Sequence, residues 1–170
     1  MAEPNSRKQL LICEPDRGLR AALELALGRR YELVLAENPA EMMLLLDSHP
    51  IQLVIWDLDR PAGSLESTLK AVHAGETPAI LRSRLGTDPS IVLDTLKAIR
   101  MARPTLTALL IAVQFDLDFQ EAVVRECRLI SFLTKRPRFA EHLIETVEIL
   151  LHDRHASVID RIVRMSIWRG

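Results

Sequence analysis

The sequence predicts an α/β protein built on a doubly wound parallel sheet with helices on both faces. Three observations lead there. Five short apolar runs alternate with segments whose apolar residues recur at helical spacing, the pattern of strands joined by helical crossovers. The third run, Ile51 to Trp56 (IQLVIW), is apolar almost throughout, as a parallel strand covered on both faces must be. Charged and polar residues follow the carboxyl ends of these runs, where open α/β sheets bind their ligands.

The first strand is read at Gln9 to Cys13 (QLLIC), too short for a helix and ended by Glu14-Pro15. Leu19, Ala22, Leu23, Ala26 and Leu27 then share one helical face, with Asp16 placed as the N-cap. Tyr31 to Ala36 is a second strand and Pro39 to Ser48 a helix stopped by His49-Pro50. The third strand ends at Asp57. Pro89 to Met101 is a helix carrying Ile91, Leu93, Leu96 and Ile99. Thr105 to Val113 is the fourth strand, Phe119 to Cys127 a helix, Leu129 to Leu133 the fifth strand, and Ala140 to Leu151 the last helix of the pattern. On this reading Glu14 and Asp16 follow strand one, Asp57 strand three, Gln114 strand four and Lys135 strand five, so three acids and a lysine converge on one sheet end.

Composition narrows the function. The chain has 170 residues, 48% hydrophobic and 26% charged, enough for one core. Its formal net charge of −1 supplies no long-range field to gather nucleic acid or an anionic membrane, so neither is an expected partner. Cys13 and Cys127 are too few for a disulfide framework or a four-ligand zinc site. No secretion signal opens the sequence and no apolar run approaches the roughly 20 residues that span a bilayer, so a cytoplasmic protein is expected. The dinucleotide, P-loop, zinc-protease and dithiol motifs are all missing, and no enzyme activity is expected. A flavodoxin-type cofactor binder is disfavoured by six glycines in all and no glycine- or serine-rich loop after strand one.

Three segments carry a resemblance: LLICEPDRGLR at 10–20, IQLVIWDLDRP at 51–61 and FLTKRPRFAEHL at 132–143. Together the chain resembles the receiver domain of bacterial two-component response regulators, of the chemotaxis single-domain type. The resemblance covers residues 9–152 apart from 62–104. It implies the flavodoxin-like strand order 2-1-3-4-5. It also implies Asp57 as phospho-acceptor, Lys135 as the cation holding a phosphoryl oxygen, Phe132 as the strand-five switch aromatic, and Glu14 with Asp57 in an acidic pocket for magnesium.

The departures from that family are equally specific. The second acid after strand one is replaced by Pro15, leaving Asp16 or Asp59 as substitute carboxylates and at most a weak magnesium site. Where the family has a Ser or Thr hydroxyl at the end of strand four, this chain has Gln114 then Phe115, or Val113 then Gln114 one register earlier. Phe132 lacks the hydroxyl that couples the aromatic to phosphate, and Arg136 stands where a proline follows the lysine. The expectation is a pseudo-receiver that works by protein contact, with a histidine kinase, another regulator or a scaffold as partner. The alternative is a stand-alone receiver in a phosphorelay that still accepts phosphate at Asp57.

Two additions are expected on a receiver-like domain spanning 1–153. Residues 62–104 number 43, about twice what one helix and its loops require, which points to an insertion at about 62–87. Residues 154–170 form an extension in which Val158, Ile159, Ile162 and Val163 share a helical face. A helix over 156–168 needs a surface to pack on, and a second copy in a homodimer or a partner is the expected one.

Overall fold

The structure is a computed structural model that describes residues 7–59 and 88–152. Both additions, the 62–87 insertion and the 154–170 extension with its proposed dimer contact, lie outside the described residues.

The elements are β1 (Gln9–Cys13), α1 (Arg17–Leu27), β2 (Glu32–Ala36), α2 (Pro39–Ser48), β3 (Ile51–Asp57), α3 (Pro89–Ala102), β4 (Thr107–Ala112), α4 (Leu117–Glu126), β5 (Ile130–Thr134) and α5 (Phe139–His152). The five strands form one sheet in the order β2-β1-β3-β4-β5, and every pairing is parallel. The parallel sheet is the one expected from the alternating pattern, and its strand order is the one the resemblance implies.

Side-chain alternation sorts the core into two layers. Leu11 and Cys13 of β1, Val54 and Trp56 of β3, and Ala108, Leu110 and Ala112 of β4 pack with Met42 and Leu46 of α2, Val92, Leu96 and Ile99 of α3, and Val123 of α4. On the other face Leu10, Ile12, Leu53, Ile55, Leu109 and Ile111 pack with Leu23 and Leu27 of α1 and Leu143, Val147, Leu150 and Leu151 of α5. The central strands are apolar at successive positions because both of their faces are covered.

The element boundaries move for local reasons. Tyr31 is not in β2, because its N–H is still bonded to Leu27 O at 3.0 Å, at the end of the preceding helix. Leu129 has φ 62°, a left-handed conformation that no strand residue adopts, so β5 starts at Ile130. α4 begins two residues earlier than expected. Asp116 caps it, accepting from Asp118 N and Phe119 N, and Leu117 in its first turn is 71% exposed, which breaks the apolar pattern that marked the start. The expected cap at Asp16 is present: its Oδ1 accepts from Leu19 N at 2.8 Å. β4 ends at Ala112 because the next amide, Val113 N–H, donates to the Asp59 carboxylate at 2.9 Å instead of continuing the ladder.

Candidate functional site

The carboxyl ends of β1, β3 and β5 deliver three charged side chains to one place. Each is held by a ladder bond that runs slightly past its strand. Glu14 N donates to Ala36 O at 3.0 Å, Leu58 N to Ile111 O at 2.9 Å, and Lys135 N to Ala112 O at 2.8 Å. Glu14, Asp57 and Lys135 are consequently buried, at 2%, 4% and 6% exposure. A lysine after a strand would ordinarily face water; here the cluster of acids draws it in.

Lys135 Nζ makes ion pairs with Asp57 Oδ2 and with Asp59 Oδ2, the second at 2.7 Å. Asp57 Oδ1 accepts from Asp59 N at 2.9 Å, so the acceptor-position carboxylate also organises the turn after β3. Asp59 Oδ2 takes two donors, the Lys135 ammonium and Val113 N–H. Burial on its own would lower the Lys135 pKa, yet the charges of Asp57 and Asp59 outweigh it and hold the ammonium above its ordinary value. The Asp59 carboxyl is raised, chiefly by burial and against the pull of Lys135.

Glu14 differs from its neighbours. Its Oε1 accepts from Asp16 N at 2.7 Å. Its Oε2 is buried without a hydrogen-bond partner as long as both groups are ionised, whereas Asp57 Oδ2 has the Lys135 ammonium beside it. Burial first, then a side-chain hydrogen bond to Asp57 and the charge of Asp57, push the Glu14 carboxyl up to about 9. At neutral pH it therefore carries a proton and donates it toward Asp57, which removes one negative charge from a crowded pocket. Beneath it the Cys13 thiol is pushed up to about 12 by burial and by the nearby carboxylates, and both cysteines are buried and free. Neither is a nucleophile at neutral pH.

The residues suggested for magnesium do not assemble into a metal site. Asp16 spends its carboxylate on the α1 cap, Asp59 gives an oxygen to Lys135 and Val113, and the Lys135 ammonium sits against Asp57. Among the described residues no group of three or more His, Cys, Asp or Glu side chains is arranged to hold a metal ion. A cation with six oxygen ligands at near-ideal angles does not fit this donor set while Lys135 remains in it.

At β4 the placement of Gln114 needs correction. The strand's last residue is Ala112, on the same face as Trp56 and Leu110, and Gln114 lies two residues beyond it with its side chain exposed. The residues at the strand end are therefore Ala112 and then Val113, whose amide leaves the ladder for Asp59. Neither has a hydroxyl. Phe132, whose register partner is Leu110, is partly buried, and its ring meets Phe115 edge-on with centroids 5.1 Å apart and planes at 77°. Read from the sequence, Asp59 is only a substitute metal ligand and Phe115 only the residue after Gln114, and neither the Phe115–Phe132 contact nor the Val113 N–H bond shows there. The D-x-D spacing at the end of β3 was the available signal for Asp59, whereas a backbone amide leaves no mark in a sequence.

Comparison with protein-family models finds no match, and neither does comparison with the curated proteins. Solved structures do resemble the chain. The signal receiver domain of an HD domain-containing protein from Pseudomonas fluorescens Pf-5 matches with TM-score 0.63 and 19% identity, over 91% of this chain and 94% of that one. A CheY-like response regulator receiver domain protein from Methanospirillum hungatei JF-1 matches with TM-score 0.60 and 15% identity, over 88% and 97%. A two-component response regulator from Clostridium difficile matches with TM-score 0.61 and 15% identity, over 88% and 100%. The fold of this chain is that of a receiver domain.

Proposed function

We propose that this receiver-fold chain is a pseudo-receiver, a signalling module that acts through protein contact and is not switched by phosphorylation of Asp57. The observation that carries this reading is the end of β4. Ala112 and Val113 supply no hydroxyl to grip a phosphoryl oxygen, and the Phe132 ring that would have to move already packs edge-on against Phe115. Without a hydroxyl, a group added at Asp57 has nothing through which to pull on the aromatic, so the two ends of the switch are uncoupled. The donor set also lacks the second acid that would help recruit magnesium, which ordinarily offsets charge crowding in phosphoryl transfer.

The output is then a surface. A histidine kinase, another regulator or a scaffold in a bacterial cytoplasmic pathway is the proposed partner. The segment 156–168, whose sequence carries Val158, Ile159, Ile162 and Val163 at helical spacing, is the proposed contact for that partner or for a second copy. Among the described residues no helix is long and apolar enough to cross a membrane. A second reading, phospho-acceptance at Asp57 in a phosphorelay, is favoured by one observation: Asp57 is held beside a lysine ammonium that could neutralise an incoming phosphoryl group.

A beryllofluoride titration in the presence of magnesium, followed by amide spectra, tests the proposal. The spectra are expected to stay unchanged. Stoichiometric shifts reaching Phe132, abolished by Asp57→Asn, would favour the phosphorelay reading instead.

A further inference from the structure

The Asp59 carboxylate occupies an unusual position. One of its oxygens receives both the buried Lys135 ammonium at 2.7 Å and the Val113 N–H at 2.9 Å, while its own backbone N–H is bonded to Asp57. An ammonium and a backbone amide aimed at a single point make a cradle for one anionic oxygen, and in a buried setting such donors are costly to leave unfilled. Lys135 is also the cation paired with Asp57, and Val113 carries the first amide beyond the end of β4. Asp59 holds both.

We propose that Lys135 Nζ and Val113 N–H form a cradle for a small tetrahedral oxyanion such as inorganic phosphate, and that Asp59 closes it from within as an internal occupant. The two sites of negative charge, Asp57 and the cradle, are then bridged by one lysine, and the pocket is complete with no external anion. Asp59 is only two residues from Asp57 and is tied to it by the turn, so its carboxylate competes as an intramolecular group whose loss of freedom is already met by folding. This inference deepens the proposed function, since it supplies a reason for silence at Asp57, and it rests on the same site.

Amide spectra and hydrogen exchange of the full chain, with inorganic phosphate as the probe, provide the test. In the wild type the Val113 amide is expected to exchange slowly and to ignore phosphate. In Asp59→Ala it is expected to exchange about tenfold faster or more, the consequence of losing one charge-assisted hydrogen bond. Added phosphate should slow it again in a saturable way, and the rescue should vanish in Asp59→Ala/Lys135→Met. Asp59→Asn, which keeps the shape and loses the charge, serves if the alanine variant does not fold, and phosphate should shift its Val113 resonance. An unchanged Val113 exchange rate in a folded Asp59→Ala protein overturns the proposal, as does a phosphate response equal in wild type and variant. A wild type that answers beryllofluoride through Asp57 defeats the pseudo-receiver reading instead, so the two failures are distinguishable.

Discussion

Replacing Lys135 with methionine is expected to lower the unfolding free energy by about 3–5 kcal/mol at neutral pH, because it strands two carboxylates around a buried position. The methionine fills most of the lysine stem's volume, so the loss reports charge and not a cavity. Lys135 is 5% exposed at its side chain and bridges Asp57 and Asp59, which places it well outside the range of surface ion pairs. Two further variants separate pairing from packing. Lys135→Met combined with Asp57→Asn and Asp59→Asn removes the whole charge cluster and should regain most of the loss, as buried ion clusters replaced in full often do. The single variant should also recover as pH falls, since protonating the Asp59 carboxyl, which burial already raises, removes an unpaired charge. Urea denaturation at two pH values measures both effects. A cost below about 1 kcal/mol for the single variant would mean that Lys135 is solvated like a surface lysine.

The second large effect is a pH dependence set by Glu14. Its carboxyl is raised to about 9 in the folded chain from an ordinary value of 4.5, first by burial and then by its contact with Asp57. The folded protein thus holds a proton that the unfolded chain has already released, and stability falls as pH rises through that interval. The contribution is full below the unfolded value and is lost as pH passes the folded one. Between about pH 5 and pH 8 the decline from this one group is a few kcal/mol in metal-free buffer. Glu14→Gln reproduces the protonated carboxyl: its carbonyl oxygen can still accept from Asp16 N–H, and its amide can still donate toward Asp57. The variant is expected to match the wild type near pH 5, to exceed it at pH 8, and to have a much flatter profile. A residual slope of the same sign remains, because the Asp59 carboxyl is also raised, mainly by burial. Parallel profiles for the two proteins would show that Glu14 is ionised in the folded state.

These effects sit on a frame that was largely legible in the residues. Strand periodicity, the all-apolar β3 and the Asp16 cap are short-range physics, and they carried the parallel sheet and the convergence of Glu14, Asp57 and Lys135, while the strand order came with the family resemblance. The shifts at strand ends came from features that periodicity does not encode. Leu129 takes a left-handed φ without being a glycine, and Tyr31 keeps its N–H on the helix behind it. At the site the same limit applied more sharply. Gln114 was set at the end of β4 by counting along an apolar run, but the run outlasts the strand because Val113 turns its amide to Asp59. The burial of Lys135 was equally hidden, since a lysine after a strand reads as exposed until the acids around it are seen to share its charge.

Intact-mass measurement after incubation with acetyl phosphate and magnesium tests the central claim, that Asp57 lies in a site already complete without a phosphoryl group. The wild-type mass is expected to remain that of the unmodified chain, as it does for Asp57→Asn. A single phosphoryl group on the wild type, absent from Asp57→Asn, would contradict the account.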